Sequence, residues 1–177
     1  MTKVPRPLTP GPAPRTPPTL DDVDLALLAV LSRDGRATNV ALARAAGIAE
    51  STCLGRVRSL QQRGFITGYA GQLDYALLGL PIQAMVAVRL AGHNGAQVDA
   101  FGDRVSGLPG VIAAYNVSGT DDFLVHVVAA SPDALRDLVL THLSGHSGVV
   151  NVTTSLIFRA HPGRQVVPGL STGQPSA

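Results

Sequence analysis

The sequence predicts an α+β protein in which a small helical domain precedes a β-α-β-β-α-β domain. Two observations lead to this expectation. Residues 20–63 show helical spacing of apolar side chains, interrupted by Asp34-Gly35 and by Gly47, so three short helices are predicted there. Residues 82–158 instead alternate strand-like segments with two helical ones, in the order of a ferredoxin-like sheet with two helices on one face.

Changes in composition place the domain boundaries. Residues 1–19 contain seven prolines, which predicts a disordered, extended arm. The helical domain is expected over 20–71, a linker over 72–81 and the ferredoxin-like domain over 82–160. Residues 161–177 return to proline, glycine and serine, and a loose tail is expected there.

Composition also limits where the protein acts. No apolar run approaches the roughly 20 residues that span a membrane, and the N-terminus lacks the apolar stretch of a signal peptide. The single cysteine, Cys53, excludes an internal disulfide framework and fits a reducing compartment. We therefore expect a cytoplasmic protein with no membrane partner.

The helical domain has identifiable start and stop signals. Asp21 and Asp22 suit the N-terminus of a first helix, and Thr38 suits the N-cap of a second. A third helix is predicted from 50 to 63, with Gly64 ending it, and a short strand is predicted over 65–69. The residues expected to face the core are Val23, Leu27, Leu28, Val30, Leu31, Val40, Leu42, Ala43, Leu54, Val57 and Leu60.

Helix, short helix, glycine turn and an arginine-bearing helix form the order of a helix-turn-helix, whose last helix enters the major groove of DNA. The net charge is only +2, but its distribution favours this interpretation. Aspartates lie at the front of residues 20–71 and arginines in the third helix, and a local basic face can contact phosphates. Double-stranded DNA is therefore the predicted partner.

Particular side chains suit contact with DNA. Ser51 and Thr52 are slender and polar at the end of the third helix that reaches base edges, and Gly55 permits close approach one turn later. Arg56 can reach guanine or phosphate. The remaining predicted contacts, mainly to phosphates, are Arg36, Thr38, Arg58 and Arg63.

The spacing of these residues resembles the Lrp/AsnC family over about 20–158. The resemblance implies a bacterial or archaeal transcription regulator, with a winged or simple helix-turn-helix joined to a ligand-binding, dimerising ferredoxin-like domain. Ala49 stands where the family usually has a Ser or Thr cap, and Gly55 and Ser59 replace larger or charged residues, which affects the DNA sequence preferred. The matching residues are Leu20-Asp21, Asp24, Leu27-Leu28, Leu31, Asp34-Gly35-Arg36, Leu42-Ala43, Ala46-Gly47-Ile48, Cys53-Leu54, Arg56-Val57-Arg58, Leu60, Gly64-Phe65-Ile66 and Gly68-Tyr69.

A second motif suggests that a small effector binds. Gly119-Thr120-Asp121-Asp122-Phe123 lies between two predicted strands and resembles the family's Gly-x-x-Asp-aromatic signature for effector binding. Glycine exposes backbone N–H groups that can hold a carboxylate, and an aspartate can hold an ammonium group. An amino acid is the expected effector, bound by Gly119, Thr120, Asp121 and Asp122, although a plain hairpin turn has the same composition.

One face of the predicted sheet needs a cover. Helices shield one side, and an apolar bare side is expected to pair with a second copy of the chain. A homodimer also suits DNA, because two recognition helices meet two half-sites; a tetramer or octamer is the larger alternative. The residues expected on this bare face are Ile82, Ala84, Val86, Val88, Leu90, Val150, Val152, Thr154 and Leu156.

Other chemistry has weaker support. His142 and His146 have helical metal-ligand spacing, but no third ligand completes a set, so neither a metal nor another cofactor is expected. No catalytic residue is predicted. The alternatives are an enzyme resembling sirohaem decarboxylases, for which His93, His126 and Arg89 are the candidates, and an amino-acid-sensing assembly protein without DNA binding.

Overall fold

The computed structural model describes residues 19–92, 94–161, 163 and 167. The predicted arm, except Thr19, and nearly all of the predicted tail lie outside the described residues. Internal contacts divide the chain into one unit that extends to Gly71 and a second unit, Gln72–Pro162.

The first unit consists of three helices. They are α1 (Asp22–Leu31), α2 (Asn39–Ala46) and α3 (Glu50–Gln62). The side chains of Asp21 and Thr38 cap α1 and α2, each accepting a hydrogen bond from a backbone N–H three residues later. Gly47 ends α2 with a φ of 66°, which a glycine adopts without strain. These caps and helices confirm the predicted order.

The core of the first unit is small and contains a carboxylate. Its buried apolar residues are Leu27, Leu42, Ala43, Cys53 and Leu60, and Asp24 is buried beside them at 2% exposure. Two expected core residues were wrong. Leu54 is 45% exposed, because Cys53 rather than Leu54 lies on the same inward face of α3 as Leu60, two turns away. Val40, on α2, is 49% exposed.

The strand predicted for residues 65–69 is wrong. This segment has no strand pairing among the described residues. Phe65 and Ile66 instead pack against the helical core, and their backbone N–H groups both donate to Leu60 O at the end of α3. The apolar residues that suggest a strand therefore close the helical unit.

The second unit is one antiparallel sheet with helices. Its elements are β1 (Ile82–Leu90), α4 (Gly95–Ser106), β2 (Val111–Asn116), β3 (Phe123–Ala129), α5 (Pro132–Leu138) and β4 (Val149–Leu156). The strand order is β2-β3-β1-β4. This order confirms the ferredoxin-like prediction. Ser131 caps α5 and Pro132 occupies its first turn, as expected.

The two faces of the sheet differ from the prediction. Val86, Val88 and Leu90 are buried with Phe101 of α4, so the apolar side of β1 faces the helices. Ile82 packs against this core and Ala84 belongs to it, so none of these five β1 residues lies on the bare face. The bare face of β1 instead presents Gln83, Met85, Ala87 and Arg89.

The edge strand β4 is more exposed. The register places Val152, Thr154 and Leu156 opposite Val88, Val86 and Ala84, on the helix side of the sheet. Leu156 nevertheless remains 52% exposed, whereas Val152 packs against the core. These three β4 residues were therefore also placed on the wrong face.

A π-helical segment, Val139–Ser144, continues α5. It ends at Gly145, whose N–H donates to Leu140 O, five residues earlier, at 3.0 Å. A Cβ at Gly145 would lie 3.0 Å from that same oxygen, so a glycine permits this close approach of the backbone. The segment delivers His146 to the end of the sheet where β1 finishes and β4 begins.

Candidate functional site

One face of α3 is free for contact. Ser51, Thr52 and Arg58 are exposed, and Gly55 is exposed with no heavy atom within 4 Å of the place where a Cβ would stand. At 100° per residue, Ser51, Gly55 and Arg58 lie on the same side of the helix. Ser51, Gly55 and Arg58 therefore share one open surface, which we call the open face of α3, whereas Thr52 is rotated by about 100° from Ser51 and lies beside it.

The first turn of α3 lacks the usual side-chain cap. Ala49 occupies the N-cap position and makes no side-chain hydrogen bond, as its residue type requires. Asn39 of α2 contributes nearby, because its Nδ2 donates to Glu50 O at 2.9 Å. This bond links α2 to the beginning of α3 without satisfying the free N–H groups of the first turn.

Arg56 and Arg63 point away from the open face, because they lie about 80° to 160° around the helix axis from Ser51, Gly55 and Arg58. Arg56 Nη1 lies 3.1 Å from Asp24 Oδ1, and Arg63 Nη1 lies 3.2 Å from Asp24 Oδ2, so each carboxylate oxygen has its own guanidinium. Arg56 also pairs with Asp21. We call Asp21, Asp24, Arg56 and Arg63 the Asp24 cluster.

Charge and burial shift the pKa values of this unit. The pKa of Asp21 is lowered, first by the hydrogen bond from the backbone N–H of Asp24 and then by the bond from Arg56. The pKa of Arg56 is raised, first by its hydrogen bond to Asp21 and then by that to Asp24. Burial, followed by the charge of Glu50, raises the pKa of the Cys53 thiol, which keeps it in the unreactive protonated form.

Arg36 and Thr38 flank the start of α2. Arg36 is exposed, and its backbone N–H donates to Asp34 Oδ1 at 2.9 Å. Thr38 Oγ1 accepts the capping bond from Ala41, and its hydroxyl hydrogen can still be donated. Both side chains therefore keep hydrogen-bonding capacity for a phosphate.

The loop between β2 and β3 is tightly held by its own chain. Asp122 Oδ2 accepts from Leu90 N at 2.8 Å, and Asp122 O accepts from Asn116 Nδ2 at 2.8 Å. Gly119 has a φ of 129°, a conformation that favours glycine, and Thr120 is exposed. The Asp122 carboxylate therefore positions the loop, which the sequence did not indicate.

Asp121 and Arg89 form a loose pair at this loop. Asp121 Oδ1 lies 3.7 Å from Arg89 Nη2, and Arg89 lies on the bare face of the sheet. Arg89 Nε is buried without a hydrogen-bond partner in the part of the chain that the structure describes. A carboxylate and a guanidinium donor are thus adjacent, which is the arrangement that a zwitterion needs.

A cavity of about 530 Å³ lies at the same end of the sheet, on the helix side. Leu90 belongs to both the cavity and the β2–β3 loop contacts, since it lines the cavity and its backbone N–H donates to Asp122 Oδ2. Arg104 and His146 supply polar groups on the cavity wall, and the His146 ring packs edge-on against Phe101. Arg104 was not predicted from the sequence and His146 was considered only as a metal ligand, because proximity between α4 and the π-helical segment leaves no local motif.

The next question is whether the described residues contain a metal site, a membrane-spanning helix or the residues considered for an enzyme. Among them, no group of three histidine, cysteine or acidic side chains is placed to hold a metal ion, and no helix is long and apolar enough to cross a bilayer. Of the residues considered for an enzyme, His93 lies outside the described part. His126 lies 3.2 Å from Gln83 Oε1, and Arg89 pairs with Asp121.

Comparison with known protein families gives two matches that together span both units. Residues 20–61 match the AsnC-type helix-turn-helix domain. Residues 83–167 match the Lrp/AsnC ligand binding domain. The first match contains α1, α2 and all but the last residue of α3, and the second contains nearly all of the sheet unit.

Individual relatives agree with these matches. The chain is 42% identical over 139 residues to the HTH-type transcriptional regulator AldR of Mycolicibacterium smegmatis, covering 78% of this chain and 81% of that protein. It is 39% identical over 140 residues to the leucine-responsive regulatory protein of Rhizobium meliloti, covering 79% and 90%.

Solved structures are similar over the same range. A transcriptional regulator of Neisseria meningitidis in complex with L-methionine superposes with a TM-score of 0.77 at 29% identity, covering 85% of this chain and 97% of that one. A feast or famine regulatory protein of M. tuberculosis complexed with L-methionine gives 0.76 at 31% identity, covering 85% and 100%.

Proposed function

The chain belongs to the Lrp/AsnC family of DNA-binding transcriptional regulators, and from this premise we propose which of its surfaces bind DNA, an effector and a second copy. Its DNA binding responds to an amino acid in this proposal. Such a regulator acts in the cytoplasm, where it meets the chromosome, and it has no catalytic step.

We propose that the open face of α3 enters the major groove. The observation that carries this proposal is the combination of Ser51, Gly55 and Arg58 on one exposed side of the helix, with open space at Gly55. Slender polar groups reach base edges, and Arg58 supplies a phosphate or guanine contact. Thr52 lies beside this face, and Arg36 and Thr38, near the start of α2, contact phosphates of the DNA backbone in this proposal.

We propose that the effector is an amino acid held at the end of the sheet by the Gly119–Asp122 loop. Asp121 receives the ammonium group, and the exposed part of the Arg89 guanidinium with the loop N–H groups receives the carboxylate. Relatives in complex with L-methionine support an amino acid as the ligand class.

We propose that the chain works as a homodimer through the bare sheet face. Tyr115 is 53% exposed on β2, and the central strands present Met85, Ala87 and Leu124 on this side. Apolar groups of this kind on an open sheet favour burial against a second copy. Association of dimers into a tetramer or octamer is the extension of this proposal.

Capture of genomic fragments with and without each amino acid tests the DNA and effector proposals together. We expect specific fragments to be enriched, and one or more amino acids to change that enrichment. Failure to retain any duplex at low salt contradicts the DNA proposal.

Size-exclusion chromatography with light scattering tests the assembly, since a monomeric mass at micromolar concentration contradicts the dimer.

Two matched variants locate the effector. Asp121→Asn removes the charge for the ammonium group, so we expect roughly tenfold weaker amino-acid binding by calorimetry. Arg104→Ala alters the cavity wall but not the Arg89–Asp121 pair, and serves as the comparison. If Arg104→Ala weakens binding while Asp121→Asn does not, the effector occupies the cavity alone and the loop assignment is wrong.

A further inference from the structure

We infer that the Asp24 cluster positions α3 against α1, so that Arg56 and Arg63 are positioning residues rather than DNA contacts. This inference rests on the proposed open face of α3, because it decides which arginines of that helix remain for phosphates. Arg58 is then the arginine of α3 that contacts DNA. From the sequence alone, all three arginines are predicted DNA contacts.

Helical geometry separates the arginines into two groups. Arg56 and Arg63 are seven residues apart, which is about two turns, so they lie on the same side of α3. Cys53 and Leu60, both fully buried, lie near that side and face the core. Arg58 is rotated by about 160° from Arg56, toward the open face. An arginine bound to α1 therefore points away from a duplex on the open face.

Burial of the carboxylate keeps the two arginines in place. The Asp24 side chain is 3% exposed, and each of its oxygens is paired with one guanidinium. Moving either arginine to a phosphate leaves a buried carboxylate oxygen without its charged partner, which is strongly unfavourable. The phosphate offers a solvated contact in exchange, so the internal pair is retained when DNA binds.

Arg63 joins three segments of the helical unit. Its Nη1 bonds to Asp24 of α1, its Nη2 donates to Thr19 O at 2.6 Å, and its guanidinium lies 4.9 Å from the centre of the Phe65 ring. These contacts involve the chain before α1, α1 itself and the chain after α3. A planar guanidinium can make them together, whereas a lysine ammonium cannot reproduce their geometry.

The salt dependence of DNA binding tests the assignment. The protein is titrated with a mixed-sequence 30-base-pair duplex over a range of salt, using fluorescence anisotropy on the full chain and four variants. Each lost phosphate contact lowers the magnitude of the negative slope of log K against log salt by about 0.9. We expect Arg58→Ala to lower this magnitude by about 0.9 for each protomer bound, with roughly tenfold weaker binding at moderate salt.

The cluster variants should behave differently from that control. Arg56→Ala, Arg63→Ala and Arg63→Lys are expected to weaken binding while the slope stays that of the unaltered protein. Arg63→Lys is decisive, because a lysine preserves a phosphate contact but not the cluster. Slopes whose magnitude falls by about 0.9 per bound protomer in both alanine variants, with Arg63→Lys unchanged in affinity, overturn the inference.

A DNA-free measurement separates this inference from the DNA proposal. Hydrogen exchange is expected to accelerate in α1 and α3 in Asp24→Asn and Arg63→Lys, and to stay unchanged in Arg58→Ala. Unchanged exchange in Asp24→Asn overturns the positioning role, because that variant retains the shape but not the charge. If Arg58→Ala alters neither affinity nor slope, the open face is not the DNA surface, and the exchange data alone then decide for or against the cluster.

Discussion

Among the described residues, five buried apolar side chains form the core of the helical unit, whereas twelve form that of the sheet unit. The helical unit adds a buried carboxylate with two arginines, and the sheet unit buries no charged residue in the described part of the chain. A small unit cannot bury enough apolar surface to fix its helices by packing alone. The comparison therefore indicates that directed ion pairs set helix positions where the apolar core is small.

Removal of Asp24 is the largest expected disturbance of the helical unit. Asp24→Ala leaves the cluster arginines without their buried partner, and we expect a loss of about 3 kcal/mol, the lower end for broken buried pairs, since the arginines are partly exposed. Unit-resolved hydrogen exchange gives this value. Equal protection of α1 in both proteins contradicts the comparison.

In the sheet unit, truncation of a buried apolar side chain is expected to have the largest effect on stability. Val86 is fully buried between the strands and helices, and Val86→Ala is expected to cost about 2 kcal/mol from lost apolar contact and the resulting cavity. The same exchange measurement should show faster exchange in β1 and β3, with α1 and α3 unaffected. Faster exchange in α3 would mean that the two units are not stabilised independently.

The helical unit can be stabilised at the start of α3, where the N-cap residue makes no side-chain hydrogen bond. Ala49→Ser supplies an acceptor for the free N–H groups at the start of α3, so we expect a gain of about 1 kcal/mol. Thermal unfolding of the variant measures it. Ala49→Val, which adds bulk but no acceptor, is the control, and an equal gain in that variant would refute the capping explanation.

Acid should weaken the helical unit by a small amount through Asp21. Its pKa is lowered in the folded state, so its contribution is complete above its ordinary value of 3.8 and is lost as the pH falls through the lowered value. Asp21→Asn should therefore lose less stability than the parent protein between about pH 6 and about pH 2. Identical pH profiles would show that Asp21 does not contribute.

Local signals made much of the fold predictable. Thr38, Gly47 and the Ser131-Pro132 pair marked helix ends correctly, and period-two alternation located the strands. Alternation does not say which side the helices cover, so the residues of β1 were assigned to the wrong face. Apolar residues at Phe65 and Ile66 suggested a strand, but a strand requires a partner and these side chains had a helical core to fill.

The candidate site was less predictable, because it depends on pairing between distant residues. The aspartates before and within α1 and the arginines of the third helix were seen as separated charges, whereas the structure pairs them across 32 to 39 positions of sequence, with 32 for Arg56–Asp24 and 39 for Arg63–Asp24. The seven-residue spacing of Arg56 and Arg63 was the available signal. Arg104 had none, and the spacing of His142 and His146 pointed to a metal site rather than to a cavity wall.

The division of α3 into two sides has an evolutionary consequence. Residues on the open face, such as Ser51 and Gly55, contact no core residue that would be disturbed by their replacement. Under the proposed DNA contacts, substitution there changes which operator is recognised without loss of the folded helix, whereas substitution of Asp24, Arg56 or Arg63 is expected to disturb the helical unit. Regulators that duplicate and diverge on this scaffold can acquire new target genes through a few substitutions on one side of a single helix.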